Sequence, residues 1–326
     1  MRNLVRDSVP VLLLANVGVL LATSLTGCLV HWVIGLPILI ALLFGAIISA
    51  TDPIAVLALF KDLRIDKRLS TIIEGESLLN DGTAVVVFQI LLVGAVSGRL
   101  GWAKGAGQYA IAVAESAALG FAMGYVVSKI TATIDDPQIE ITLTTIVPYG
   151  SYLFAQNLHL SGVIATATAG LIVGNFGAKR GMSPRTRAAL EAFWEYIAFV
   201  MNSLDFLLIG LEVHIDALVH AWSPILIAIA AVLLGRAIAV YILVPVSNLF
   251  GRTVPGRWQP AVVWGGLRGS LALALALSLG SGFPYRYRIL DLTFGVVVFS
   301  ILAQGLTIKP LIRILGLTNG TAPTRF

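Results

Sequence analysis

Cysteine is almost absent from this chain. Cys28 is the only one among 326 residues, which excludes a disulfide framework, and no CxxC or HExxH spacing points to a zinc site. Histidine is scarce too: His31, His159, His214 and His220 all fall near the ends of apolar runs, where interfacial anchoring accounts for them without a metal. Charge is also sparse. Asp, Glu, Lys and Arg make up 12% of the residues against 57% hydrophobic, and the mean hydropathy is +0.91. A soluble domain cannot cover its exterior with so few charges. What the chain has instead is long apolar runs, about one every thirty residues. At about 1.5 Å of rise per residue, about 20 residues cross the roughly 30 Å of a bilayer's hydrocarbon as a helix. The sequence therefore predicts an all-α integral membrane protein.

Ten spans are expected, at about 9–31, 36–60, 72–97, 107–130, 139–157, 159–176, 190–212, 222–249, 258–281 and 289–314. Cations test the count, because inner loops carry an excess of Lys and Arg. With the start of the chain inside, one side holds Arg2, Arg6, Lys61, Arg64, Lys67, Arg68, Lys129, Lys179, Arg180, Arg185, Arg187, Arg252, Arg257, Lys309, Arg313 and Arg325. The other side holds Arg99, Lys104, Arg286 and Arg288, and Arg236 and Arg268 remain within spans. A miscounted span would scramble this bias. The net charge of +5 thus reports membrane orientation, with both termini cytoplasmic in a bacterial inner membrane, and calls for no nucleic acid. Arg2, Arg6 and the following apolar run up to LTGC at 25–28 also resemble a lipoprotein leader with Cys28 as its acceptor. Asp7 fits such a leader poorly, and the apolar run continues through LVHWVIG.

Charges inside hydrocarbon cost about 3 kcal/mol each on insertion scales, so those present are candidates for an ion pathway. In SATDPIAVLALF, residues 49–60, Pro53 lacks an N–H and clashes with the carbonyl four residues back, freeing backbone groups around Ser49, Ala50 and Thr51. Freed carbonyls are tolerated only where protein buries them or they line a watery cavity. In IIEGESLLNDGTAVVVFQ, residues 72–89, Ser77 and Asp81 share one helix face and Glu76 and Asn80 an adjacent one. Glu74 reads as an acid in a solvated first turn. In AVVWGGLRGSLALALALSLG, residues 261–280, Arg268 lies among Gly265, Gly266 and Gly269. An unpaired arginine there would be expensive, so a carboxylate partner is expected, and Glu76 is the choice. The remaining charges include Glu115, and among them Glu191, Glu195 and Asp291 read as helix-start acids. Asp205 lies deeper, and Arg236 needs an acid that the sequence does not identify.

The two spans containing breakers, 36–60 and 258–281, run antiparallel in this topology. Each is the middle member of a triplet, 9–97 and 222–314, with opposite orientations and helices 107–212 between them. Paired interrupted segments in inverted repeats point to a transporter's binding site. At such a crossing Asp52 and Arg268 would neutralise half-helix ends.

ATDPIAV at 50–56, EGESLLNDGTAVVVF at 74–88, FLLIGLE at 206–212 and WGGLRGSLALALAL at 264–277, in this order, resemble the sodium/proton antiporters of the NhaP and eukaryotic sodium/hydrogen-exchanger type. The resemblance covers essentially the whole chain. It implies an inverted-repeat antiporter fold with two crossing interrupted helices, in one exchanger domain over 1–326. It implies that Asp81 binds either a cation or protons, and that Asn80 completes the Asn-Asp pair of the electroneutral branch. Thr51, Ser77 and the loosened backbone around Asp52 would add oxygen ligands, so that sodium is held by Asp81, Ser77 and Thr51. Glu76 and Arg268 match a family pair that ties the core together. Two features depart from the family pattern. Members usually carry about three more helices before the equivalent of 9–31, so the chain resembles a form without its first helices, and a homodimer is expected only where those are present. Asp205 stands where an apolar residue is expected.

The expected activity is sodium/proton or lithium/proton exchange by alternating access, with no enzyme chemistry and no cofactor beyond the transported ions. A bare carboxylate is costly in hydrocarbon, so Asp81 must carry a proton or a cation, and the two exclude each other. Hard oxygens suit sodium or lithium better than a soft metal. A potassium/proton antiporter uses the same residue types. A non-transporting relic of an antiporter is the main alternative, and an intramembrane aspartyl protease would need YD and GxGD contexts where this chain has TDP and NDG.

Overall fold

The computed structural model describes residues 6–97, 102–134, 136–177, 183–212 and 221–318. Of the residues weighed above, Arg2, Arg99, Lys179, Arg180, His214, His220 and Arg325 lie outside them, as do the side chains of Lys104 and Asp205.

The described residues form twelve helices: α1 Ser8–Ile34, α2 Ile38–Ile47, α3 Ile54–Asp62, α4 Lys67–Ser97, α5 Trp102–Thr131, α6 Pro137–Asn157, α7 Gly162–Ile172 with a further wide turn Val173–Gly177, α8 Pro184–Glu212, α9 Trp222–Phe250, α10 Gln259–Trp264, α11 Ser270–Leu277 and α12 Arg286–Ile314. All ten apolar runs are helical, and two are split. The run 36–60 breaks into α2 and α3 on either side of Thr51, Asp52 and Pro53, and the run 258–281 into α10 and α11 around the glycines. Among the described residues five helices are long and apolar enough to cross a membrane, and the chain is an integral, multi-pass membrane protein.

Ordinary helix chemistry sets several boundaries. Gly35 closes α1 in the left-handed region at φ 80°, which glycine adopts without steric cost. Asp136 caps α6 by accepting from the Gln138 and Ile139 amides, with Pro137 at the first helical position. One expectation needs correcting here. Glu191, Glu195 and Asp291 are not in first turns, because α8 begins at Pro184 and α12 at Arg286. Glu191 instead accepts from exposed Arg187 one turn earlier at 2.9 Å, a contact worth a few tenths of a kcal/mol at most.

The chain divides into two compact units, one from the described residues within 1–100 and 213–326 and one from those within 101–212. In the first, a long helix, a broken helix and a long helix occur twice in succession, as α1 to α4 and as α9 to α12. Its apolar core is built from Leu14 of α1, Val56 and Phe60 of α3, Ile72 of α4, Leu243 of α9, Val262 of α10 and Ile308 of α12. At the end of this unit carrying the starts of α1 and α4, buried Asp7 accepts from Arg68 Nε and Nη2 at 2.8 and 2.7 Å. Arg68 also donates to the carbonyls of Thr253 and Arg252 and lies over the Trp258 ring.

In the second unit, α5 and α7 touch backbone to backbone. A Cβ on Gly120 would stand 2.1 Å from the Ala165 carbonyl oxygen, and one turn earlier Ser116 Oγ accepts from the Ser161 amide at 2.9 Å. Small residues at four-residue intervals permit such close approach between helices in lipid, where apolar burial alone gives no drive to associate.

Candidate functional site

The two helix breaks meet inside the first unit. The Asp52 amide donates to the Leu267 carbonyl at 2.8 Å, so the stretches are joined through the backbone groups that each break releases. At this contact a Cβ on Gly269 would lie 2.6 Å from Asp52 Oδ2 and 2.7 Å from Asp52 Cβ. Only glycine fits.

A helix end leaves carbonyls without partners, and in hydrocarbon these must be satisfied by protein. Beyond the end of α2 the Ser49 and Ala50 carbonyls accept from Arg268 Nη1 at 2.9 and 3.1 Å. The Thr51 carbonyl accepts from Ser77 Oγ. At the start of α3, Asp52 Oδ1 accepts from the Ile54 amide at 3.0 Å. Cation thus meets the carbonyl end of one half-helix and carboxylate meets the amide end of the next, the placement that the helix dipole favours.

Glu76 corrects the sequence reading. Its partner is Arg236, not Arg268: Arg236 Nη1 reaches Oε1 at 2.6 Å and Nη2 reaches Oε2 at 2.8 Å, with all members buried. The physical reason lies in the break itself. Arg268 is satisfied by carbonyls that an intact helix would not offer, so the expected need for a carboxylate contact does not arise. Arg236, on the regular helix α9, has no such supply and takes the carboxylate in a two-point grip. Its Nη2 also donates to the Val262 carbonyl of α10 at 3.1 Å. Arg236 is therefore the site residue whose role the sequence left open, and the only signal for it was a cation deep in an apolar span.

From Glu76 the polar network continues toward the first break. Asn80 Nδ2 donates to Glu76 Oε1 at 3.3 Å and to Thr51 Oγ1 at 2.7 Å, and Asn80 Oδ1 accepts from the Thr51 amide at 3.4 Å. Thr51 Oγ1 stands 3.4 Å from Ser77 Oγ. Thr51, Ser77, Asn80 and Glu76 are all buried. Asp81, half-buried on α4 one turn after Ser77, accepts no hydrogen bond among the described residues. Sequence reasoning brought together Thr51, Asp52, Ser77, Asn80 and Arg268, and the structure assembles them at one crossing. It missed Ser300 and Gln304 of α12: Ser300 Oγ accepts from the Arg268 amide at 2.8 Å.

The comparisons with known proteins agree on a family. The model described as "Sodium/hydrogen exchanger, transmembrane" matches residues 1–314. The Na(+)/H(+) antiporter ApNhaP of Aphanothece halophytica is 43% identical, over 99% of this chain and 63% of its own length. The Na(+)/H(+) antiporter NhaP of Pseudomonas aeruginosa is 44% identical, over 93% of this chain and 74% of its own. This chain thus spans about two thirds to three quarters of the length of these relatives. In fold it matches the sodium proton antiporter MjNhaP1 from Methanocaldococcus jannaschii with a TM-score of 0.78, at 20% identity, over 97% of this chain and 80% of that one.

Proposed function

This chain belongs to the sodium/hydrogen exchanger family, and we propose that it exchanges sodium or lithium for protons across the membrane, electroneutrally and by alternating access, with Asp81 as the carboxylate that carries either ion. The observation that supports this reading is a contrast on one helix. Glu76 and Asn80 are fully engaged, Glu76 by Arg236 and Asn80 by Thr51, whereas Asp81 accepts no hydrogen bond among the described residues. A carboxylate left in this state within a membrane needs a neutralising ligand.

The chemistry follows from competition for that carboxylate. A proton neutralises Asp81 covalently. A small hard cation does so by coordination, with Thr51 Oγ1 and Ser77 Oγ as neutral oxygens beside it. The Thr51 carbonyl is already occupied by Ser77, so a cation that recruits Ser77 Oγ competes with that hydrogen bond. Asp52 and Arg268 hold the two breaks, and Glu76, Arg236 and Asn80 hold Thr51. One ion is released before the other binds, which couples the two flows with no chemistry beyond the proton joining and leaving the carboxylate. We further place α1 to α4 and α9 to α12 as inverted triplets, and the α3–α4 corner bearing Lys61, Arg64, Lys67 and Arg68 on the cytoplasmic side of a bacterial plasma membrane, by the excess of cations there.

The test uses the purified chain in vesicles loaded with a pH-sensitive dye. A sodium pulse should move the internal pH in the wild type and leave it unchanged in Asp81→Asn. Sodium-driven proton movement of equal size in both would end the proposal.

A further inference from the structure

The second break is held by side chains that the exchange chemistry above does not use. All three come from one stripe of α12. Ser300 Oγ accepts from the Arg268 amide at 2.8 Å and donates to Gln304 Oε1 at 2.7 Å. Gln304 Nε2 donates to the Trp264 carbonyl at 3.3 Å. Thr307 Oγ1 accepts from the Trp264 indole at 2.8 Å. The carbonyl at the end of α10 and an amide just before α11 are thus both taken by α12. Ser300 and Gln304 are buried, and they lie in a π-helical turn, Ser300–Gln304, within an otherwise α-helical segment. Such wide turns interrupt the regular hydrogen-bond ladder and recur at functional positions.

The two breaks are therefore clamped differently. In the first, Thr51 is held by Ser77 and Asn80, on the same helix as Asp81, and the Ser49 and Ala50 carbonyls by Arg268. In the second, the clamp contains no ionisable group and does not touch Thr51, Ser77 or Asp81. It reaches them through the Leu267–Arg268 peptide, whose carbonyl accepts from the Asp52 amide at 2.8 Å. Ser300 holds the Arg268 amide, and the Arg268 guanidinium holds the Ser49 and Ala50 carbonyls immediately before Thr51.

We infer that Ser300 and Gln304 are positioning residues for ion exchange: by fixing the backbone of the second break they set where Arg268 meets the first, and so the arrangement of the oxygens around Thr51. This inference rests on the exchange reading. If Ser300 lets go, Arg268 can settle away from Ser49 and Ala50, and their carbonyls are left to pull on Thr51. The effect belongs to the affinity for the cation. Gln304 orients the Ser300 hydroxyl and also holds the Trp264 carbonyl, so the two residues are coupled and losing both costs less than the sum of the two losses.

The experiment compares Ser300→Ala, Gln304→Leu, their double variant and Ser300→Thr, which keeps the hydroxyl, with wild type and Asp81→Asn in vesicles. Sodium dependence of exchange and amide hydrogen exchange over residues 265–269 are read in parallel. Expected are faster amide exchange in that stretch and a roughly five- to tenfold higher half-saturating sodium concentration in both single variants, the size of one lost buried hydrogen bond. The maximal rate should change less than the half-saturation. The double variant should fall clearly short of the combined effect of the two singles, and Ser300→Thr should stay near wild type. Faster amide exchange with unaltered half-saturation would make the stripe merely structural and overturn the inference, as would unaltered amide exchange. A wild type no more active than Asp81→Asn would instead refute the exchange reading, and the positioning role with it.

Discussion

Both oxygens of Glu76 are gripped by Arg236, at 2.6 and 2.8 Å, in a pair that is almost wholly excluded from solvent. Taking two charges out of water is expensive, so the pair need not add net stability, but removing one member strands the other. Glu76→Leu and Arg236→Leu should each cost about 3 to 5 kcal/mol, measured by unfolding in detergent, and the double variant should cost clearly less than the sum. The same cycle run with Glu76 and Arg268 should show weaker coupling, since these two do not share a hydrogen bond. Equal coupling in both cycles would contradict the observed pairing.

Asn80 holds Thr51 on two sides, from the side chain and from the amide. Asn80→Ala leaves the Thr51 amide without its side-chain partner, a loss of about 1 to 3 kcal/mol. The half-saturating sodium concentration should rise several-fold while the fold survives. Sodium kinetics identical to wild type would show that Thr51 needs no such support.

Gly269 allows the two breaks to touch. Gly269→Ala puts a methyl carbon where only about 2.6 Å separates it from Asp52 Oδ2, well inside a van der Waals contact of about 3.5 Å. Exchange should drop steeply. Gly256→Ala, where a Cβ would meet nothing within 4 Å, is the control and should keep wild-type rates. If both glycines tolerate alanine equally, the breaks are looser than the contact implies.

Sodium that binds the folded protein at Asp81 must stabilise it by mass action, by about 2.7 kcal/mol at a hundredfold excess over its dissociation constant. A melting curve should shift upward in sodium chloride relative to choline chloride for the wild type and stay in place for Asp81→Asn. An equal shift in both would locate sodium elsewhere.

Asp7 and Arg68 join the starts of α1 and α4 to the carbonyls of Arg252 and Thr253. Asp7→Ala should destabilise the protein by about 3 kcal/mol, because Arg68 loses its buried partner. The half-saturating sodium concentration of the folded fraction should be unaltered. A changed sodium dependence at full stability would give this corner a part in exchange that its hydrogen bonds do not suggest.

The membrane class, the ten apolar runs, the two interruptions and the face pairs of α4, Ser77 with Asp81 and Glu76 with Asn80, could all be read from the sequence, because each depends on local rules. Hydrocarbon demands about 20 apolar residues per span, Pro53 removes a helix hydrogen bond wherever it sits, and residues four apart on α4 share a face. Partner choice obeys no such rule. Glu76 lies 160 residues from Arg236 in the chain, and nothing in the spacing favours it over Arg268. What decided was the supply of carbonyls at the first break, which satisfied Arg268 and left the carboxylate to Arg236. The same holds for Ser300 and Gln304, which read as two polar residues in an apolar helix until the packing of α12 against the second break supplied an amide and a carbonyl for them to hold.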